Sequence, residues 1–507
     1  MCERAKFVKN DRSSLRVEEL PLNALAVNRT LAEPMQRQIY KALRDLILRR
    51  ILPPGLRMPS TRSLAKDIVV SRNTVVAAYD QLVSEGYIET RQGARPYVVD
   101  LPDPPGTPAA PAQVETGGRL SRSFRNTTRN GLQGGYPGHF GLRPSVPDTR
   151  SFPFATWNRL MTKHFQPAND ELFSYNYVTG YPPLQAAIAS YVQAYRGVRC
   201  EPGQIIITNG AQGALDLLAR LLIDEGDLVW MDEPGYFGAQ AAFLGAGARL
   251  APLHIDEAGW HLQDVPAEPI RLIYTTPSCQ QPLGLTMLME QRLRLLEIAQ
   301  QKNAWIIEDD FDSEYRLLGA AVPAMQGIDS ANRTIYVGTF AKTLFPSLRI
   351  GFMVLPRQIG VDIGHACYVS GHLVSLPLQA TLSDFIEGGH FARHLRRMRR
   401  LYGSRRERFL ALCERELGDW LEPFDADVGI QIAFRFTRDI SDQLIARRAN
   451  ERRLNVTPLS KHYLHSAPQN GVVLGYAALD ERTMEVHLTE LRHVFEECGQ
   501  LIRSNKT

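Results

Sequence analysis

Apolar residues at the front of the chain recur at helical spacing. Ile39, Leu43, Leu46 and Ile47 predict one buried face on a helix over residues 35–50, ended by Pro53-Pro54-Gly55. Ser60 or Thr61 is placed to cap a short second helix through Leu64 and Ala65. After an apolar turn, Ile68-Val69-Val70, Ser71 caps a third helix with Val75, Tyr79, Leu82 and Val83 on its buried face, and Gly86 stops it. Two short strands over 87–90 and 96–99 flank a Gln92-Gly93 turn. The pattern then changes. Pro102, Pro104, Pro105, Pro108 and Pro111 stand among small residues, and Arg119, Arg122, Arg125 and Arg129 follow, which reads as a partly stiff linker. Beyond it, short apolar runs over 205–207, 228–231, 272–274, 304–307 and 335–337 alternate with helical patterns. That alternation predicts a mainly parallel, doubly wound α/β sheet. The expected divisions are an arm over 1–32, a small helical domain over 33–100, a linker over 101–134 and an α/β body over 135–507.

Helix, short helix, tight turn, helix and hairpin make a winged helix-turn-helix. In such a module the helix after the turn enters the major groove with its first residues foremost. Here these are Arg72, Asn73 and Thr74. Arginine suits guanine and asparagine suits adenine. Arg57, Arg62, Arg91 and Arg95 would meet phosphates. Charge agrees: residues 1–100 carry 17 Lys/Arg against 11 Asp/Glu, while the remainder carries 41 against 43. A basic front end on a near-neutral body points to an anionic partner. The plainer reading, a small helical domain that docks protein, is weakened because charge, capping and turn agree.

The six cysteines are scattered and form no CxxC pair, so neither a disulfide framework nor a zinc site is expected. No apolar run approaches the length of a membrane span, and the first residues lack the apolar core of a signal peptide. A soluble, cytoplasmic protein without metal is expected.

Ligands of doubly wound sheets sit beyond strand C-termini, and the chemistry-bearing residues fall there. Gly210-Ala211-Gln212 opens a helix and offers backbone N–H groups to a phosphate. Tyr236 offers a ring for stacking, though plain loop packing is as common after Pro-Gly. Glu308-Asp309-Asp310 ends the fourth run. A carboxylate beside a pyridine nitrogen keeps it protonated, whereas a helix cap is the plainer reading. Lys342 follows the fifth run. A lysine in a largely apolar site loses its proton readily and can form a Schiff base with a carbonyl. Thr339 and Arg349 stand where they could hold a phosphate beside it. This set suits pyridoxal 5'-phosphate (PLP).

Two resemblances follow. Met58-Pro59-Ser60-Thr61-Arg62-Ser63-Leu64-Ala65, then Val70-Ser71-Arg72-Asn73-Thr74-Val75 and the stretch from Ala78 to Tyr87 are similar to the DNA-binding domain of the GntR family. That resemblance implies double-stranded DNA as partner, with Ser60, Arg62, Ser71, Arg72 and Thr74 in contact. The family's small-residue wing turn is replaced by Gly93-Ala94-Arg95-Pro96. The motifs around Lys342 resemble a fold-type I aminotransferase domain, and over 34–100 and 136–490 the chain resembles the MocR/GabR family of transcriptional regulators. This implies PLP on Lys342, with Asp309 on the pyridine nitrogen and Tyr236 against the ring. Ala211, Gln212, Thr339 and Arg349 would hold the phosphate. Tyr175 matches a tyrosine that reaches the neighbouring subunit's phosphate, which implies a homodimer, swapped in this family. The basic stretch 389–399 is a further match, with no chemistry assigned.

Three departures stand out. The family's tyrosine two positions after the aspartate is Phe311, which cannot hydrogen-bond the cofactor's phenolic oxygen. The family's His-Gln is Cys279-Gln280, and an aminotransferase asparagine is Gln281, so Gln280 or Gln281 stands in for the missing hydrogen bond. The late strand over 471–476 lacks the arginine that grips a substrate carboxylate in aminotransferases, and Arg435 is a loose candidate. The expected function is a PLP-dependent DNA-binding regulator sensing PLP, an amine or an amino acid. The alternative is a working aminotransferase with an accessory DNA-binding domain. Full transaminase turnover is not expected.

Overall fold

The computed structural model describes residues 27–90, 95–101, 121, 123, 125, 141–317, 322–370 and 373–504. The arm up to residue 26, the wing turn with Arg91 and nearly all of the linker lie outside the described residues. Tertiary contacts divide the chain into two units, Met1–Gly118 and Arg119–Thr507.

The first unit has α1 (Met35–Leu48), α2 (Thr61–Asp67), α3 (Arg72–Ser84) and a ribbon of β1 (Ile88–Glu89) against β2 (Tyr97–Val98). Its core is the expected one, with Ile39, Leu43, Leu46, Ile47, Leu64, Val75, Tyr79 and Leu82 packed together. Val83 is only partly buried. The first helix is shorter than its apolar pattern suggested, because Arg50 takes a left-handed conformation (φ 57°) and turns the chain. Ser60 rather than Thr61 caps α2: its hydroxyl accepts the Ser63 N–H at 3.0 Å. Ser71 caps α3 by accepting the Thr74 N–H at 3.2 Å. These bonds satisfy helix N–H groups that have no partner within the helix.

The second unit is built on an eight-stranded sheet. Its strands are β3 (Ile205–Thr208), β4 (Leu228–Glu233), β5 (Arg249–Asp256), β6 (Gly259–Trp260), β7 (Leu272–Thr275), β8 (Trp305–Asp310), β9 (Thr334–Thr339) and β10 (Gly351–Val354). They lie in the order β3-β10-β9-β8-β7-β4-β5-β6. Helix α4 (Gly210–Leu222) follows β3, and the long helix α5 (His390–Leu417) lies later in the chain. A second sheet of β11 (Leu421–Pro423), β12 (Gln431–Phe436), β13 (Thr457–Pro458) and β14 (Gly471–Gly475) is antiparallel throughout.

All five predicted apolar runs are strands, and β3, β4 and β7 are buried along their whole length. Successive residues feed opposite faces of the sheet: Ile205 and Ile207 join one cluster, Ile206 another. Both faces are therefore covered, which is why these strands read as continuous apolar runs. The sheet is less parallel than the pattern suggested. The strands from β9 through β8, β7 and β4 to β5 are parallel, but β10 runs antiparallel to both β9 and β3. After the Lys342 loop a short helical turn, Pro346–Leu348, and left-handed Arg349 (φ 52°) reverse the chain, so no crossover helix is needed between β9 and β10.

Candidate functional site

One cavity lies across the C-terminal ends of the sheet. Lys342, Asp309, Tyr236, Gly210, Ala211, Gln212, Thr339 and Arg349 all line it, together with Ser145, Gln281, Phe311 and Ala341. The strand order brings this about: the chain leaves β3, β4, β8 and β9 at one edge, and each exit contributes a wall. At Gly210 (φ 70°) the chain turns sharply into α4, whose N-terminus faces the Arg349 guanidinium. Arg349 donates to the Asn209 carbonyl at 3.1 Å. A Cβ on Gly351 would lie 2.7–2.8 Å from Gly210 main-chain atoms, so this corner closes only with glycine. A helix N-terminus beside an arginine is suited to an anion.

Lys342 is half-buried on the loop after β9. Its Nζ donates to the Ser145 carbonyl at 2.9 Å. Burial holds its pKa below the usual lysine value, helped by the charge of Arg143 and opposed by Asp312 and Asp309. The loop is held from behind. Tyr315 donates its hydroxyl to the Lys342 carbonyl at 3.3 Å, and the buried His394 of α5 bonds the Thr343 carbonyl at 3.0 Å. Burial lowers the His394 pKa to about 4, so the ring is neutral and Nε2–H donates.

Asp309 is buried, and one of its oxygens, Oδ2, accepts the Tyr274 hydroxyl at 2.8 Å. The other, Oδ1, is buried with no hydrogen-bond partner among the described residues. Burial raises the Asp309 pKa to about 7. Tyr236 donates its hydroxyl to Gln212 Oε1 at 3.1 Å, and Gln212 Nε2 donates to the Gly238 carbonyl at 2.9 Å. Burial pushes the Tyr236 phenol up to about 12, so it stays neutral.

Not every expected residue reaches the cavity. Gln280 is turned away: Nε2 donates to the carbonyls of Pro234 and Gln281, and Oε1 accepts the Leu283 N–H at 2.9 Å. It staples buried loops, because main-chain groups there would otherwise lack partners. Gln281 lines the cavity instead. Its Oε1 accepts from Gln431 Nε2 at 2.9 Å, and Gln431 Oε1 accepts from the Ser145 hydroxyl at 2.7 Å. Tyr175 is 84% exposed and does not line the cavity of its own chain. Arg435 is engaged in ion pairs with Glu422 and Glu257. The residues that sequence reasoning missed are Ser145, Gln431, Asp312 and His394. Asp312 directly follows the Glu308-Asp309-Asp310-Phe311 stretch and His394 lies in the basic stretch 389–399, whereas Ser145 and Gln431 sit in none of the motifs read from the sequence.

In the first unit, Arg72, Asn73, Arg62 and Arg95 are exposed. Their side chains have no ion pair or hydrogen bond among the described residues. Ser60, Ser71 and Thr74 are engaged in the caps described above, with Ser71 and Thr74 hydroxyls 2.8 Å apart. Arg72 at the N-terminus of α3, Arg62 in α2 and Arg95 before β2 are thus left open to solvent.

The comparisons with known proteins match both units. Residues 35–98 match the model "Bacterial regulatory proteins, gntR family", and residues 150–491 match "Aminotransferase class I and II". The chain is 48% identical over 478 residues to the "Probable rhizopine catabolism regulatory protein MocR" of Rhizobium meliloti, covering 93% of this chain and 96% of that protein. It is 29% identical to the pyridoxine biosynthesis transcriptional regulator PdxR of Corynebacterium glutamicum, covering 92% and 98%. A solved structure of LysN, the α-aminoadipate aminotransferase of Thermus thermophilus complexed with N-(5'-phosphopyridoxyl)-L-leucine, superposes with a TM-score of 0.68 at 25% identity. That match covers 75% of this chain and 98% of LysN.

Asp312 is the strongest of the charges that keep Lys342 protonated. Asp312→Asn should therefore shift the pH midpoint for covalent labelling of Lys342 by an amine-reactive reagent to lower pH, read by peptide mapping. An unchanged or higher midpoint would contradict this account of the amine.

Proposed function

The chain belongs to the MocR/GabR family of transcriptional regulators, with a GntR-type winged helix ahead of a PLP-dependent aminotransferase fold, and we propose that Lys342 is its cofactor lysine and that cofactor and effector binding there alter how the winged helix engages DNA. The observation that carries this reading is the unpartnered Oδ1 of Asp309, buried in the cavity that also holds the Lys342 amine. A bare buried acceptor is costly, and a protonated pyridine nitrogen would satisfy it.

The residues present fit the cofactor. Ala211, Gln212, Thr339 and Arg349 would hold its phosphate, Asp309 its ring nitrogen and Tyr236 its ring face. With Phe311 in the tyrosine position, Gln281 would meet the phenolic oxygen. Its Oε1 is already committed to Gln431, which leaves its Nε2 donors free to turn towards the cavity. Bound PLP supplies an aldehyde that condenses with primary amines and a ring that withdraws electrons. The protein's own part is to hold the Lys342 pKa below that of a free lysine by burial, with the Ser145 carbonyl orienting the amine.

In the first unit Arg72 and Asn73 would read base edges, while Arg62 and Arg95 would bind phosphates. Ser60, Ser71 and Thr74 would shape the helix starts that approach the backbone. A ligand that favours one arrangement of the units shifts the population towards it. A working aminotransferase with an accessory DNA-binding domain is the weaker reading, since the relatives that match over the full length are named regulators and β14 carries no arginine. We further propose a cytoplasmic homodimer in which Tyr175 completes the partner's phosphate site. The described residues hold no helix long and apolar enough to cross a membrane.

Purified protein mixed with PLP should absorb in the visible, and borohydride should fix the adduct on Lys342. A Lys342→Ala protein that still forms a reducible adduct in this cavity would refute the assignment. At a specific site Arg72→Ala should cost about 1–3 kcal/mol of binding, whereas Arg62→Ala should weaken all sequences and flatten the salt dependence. Operator affinity untouched by Arg72→Ala would refute the recognition-helix assignment. For the dimer, Lys342→Ala chains mixed with Tyr175→Phe chains should retain PLP better than either parent, because the mixed dimer regains one intact site. No gain on mixing would count against Tyr175 acting in trans.

A further inference from the structure

Arg143 is an exposed arginine whose main chain is fixed and whose side chain is uncommitted. On one side, the Leu142 N–H donates to the Leu454 carbonyl at 2.7 Å, and the Gly475 N–H at the end of β14 donates to the Leu142 carbonyl at 2.8 Å. The fit is tight: a Cβ on Gly475 would lie 2.0 Å from the Arg143 carbonyl oxygen. On the other side, Ser145 lines the cavity, receives the Lys342 amine on its carbonyl and donates its hydroxyl to Gln431. The segment is thus pinned before and after Arg143, directly beside the cavity wall. The guanidinium itself has no ion pair or hydrogen bond among the described residues.

Of the two other candidate arginines, one has the phosphate to hold and the other does not line the cavity. Arg349 sits at the N-terminus of α4 and donates to Asn209, and Arg435 is held by two glutamates. Arg143 is close enough for its charge to act on the Lys342 amine. Arg349 lines the cavity and Arg143 stands two residues before Ser145 of its wall, so an anion besides a phosphate would find a second cation at hand, and a guanidinium fork matches a carboxylate in bidentate fashion.

We propose that Arg143 receives the carboxylate of an amino-acid effector bound in the Lys342 cavity, so that the regulator responds to amino acids in preference to the corresponding bare amines. The proposal rests on the cofactor reading above. It makes Arg143 a specificity residue that selects the effector's chemical class, on a segment outside the sheet motifs.

The test is an absorbance titration of the PLP-loaded full chain with the twenty common amino acids, beside ethylamine, phenethylamine and cadaverine as the decarboxylated partners of alanine, phenylalanine and lysine. Each amino acid that perturbs the visible band is then compared with its own decarboxylated amine. At least one amino acid should act at lower concentration than its amine. Arg143→Gln should weaken that amino acid by about 10- to 100-fold and leave the amine unchanged. Arg143→Lys, which keeps the charge without the fork, should fall between. Should the glutamine variant fail to load PLP, the lysine variant decides alone, by weakening the amino acid and not the amine. The proposal is overturned if no amino acid outperforms its amine, if the variants weaken both classes equally, or if they weaken neither. A wild-type protein with no visible band after PLP loading would overturn the cofactor reading as well. A normal band with any of the failures above would overturn only the role of Arg143.

Discussion

An amine and a carboxylate line one cavity at the strand ends, with a second buried carboxylate, Asp312, close enough to act on the amine, and the surrounding structure is arranged to make that tolerable. Charges removed from water are costly unless each finds a partner. Lys342 has the Ser145 carbonyl and the fields of Asp309 and Asp312. Asp309 has one hydroxyl donor, from Tyr274, and Asp312 has one main-chain donor, from Ile430. Each aspartate keeps a second oxygen buried and unpartnered among the described residues. Burial raises both carboxyl pKa values, to about 7 for Asp309 and about 6 for Asp312. The cavity is therefore under-satisfied, as expected of a site that gains its missing partner when a ligand binds.

Distant elements hold this arrangement in place. The arginine-rich helix α5 is structural along its inward side. Its Arg399 lies over the Tyr195 ring at 4.9 Å and donates to the Glu314 carbonyl at 2.6 Å. Its Arg405 pairs with the buried Asp148 at 3.0 Å, a few residues beyond the segment that carries Ser145. His394 on the same helix supports the Lys342 loop. A run that reads as a basic surface is therefore, in part, the frame behind the lysine. The second sheet contributes in the same way, since β12 supplies Gln431 and the end of β14 grips the main chain at Leu142.

The small N-terminal unit follows a simpler plan. Two serines meet the helix starts, the apolar residues of three helices fill one core, and Arg72 at the start of α3, Arg62 in α2 and Arg95 before β2 are left without partners among the described residues. An unpaired surface arginine is ordinary when it stands alone. Three in one small capped unit, Arg62, Arg72 and Arg95, suit a protein that binds the phosphate backbone and reads bases beside it.

Local pattern was enough to read much of this chain. Buried strands announce themselves as apolar runs, helices by their period and caps, and ligand-bearing residues by standing just past strand ends. Lys342, Asp309, Tyr236, Gln212 and Arg349 were legible on that basis and share one cavity. What sequence could not decide depended on contacts between distant residues. The choice between Gln280 and Gln281 is made by which side chain the buried loops need for their own main chain. Ser145 meets Gln431 across 286 positions, and Lys342 meets Ser145 across 197. The return of β10 antiparallel to β9 depends on a left-handed arginine at a tight turn. Spacing along the chain carries no record of such meetings, because they are set by how the sheets and helices pack once the apolar faces are buried.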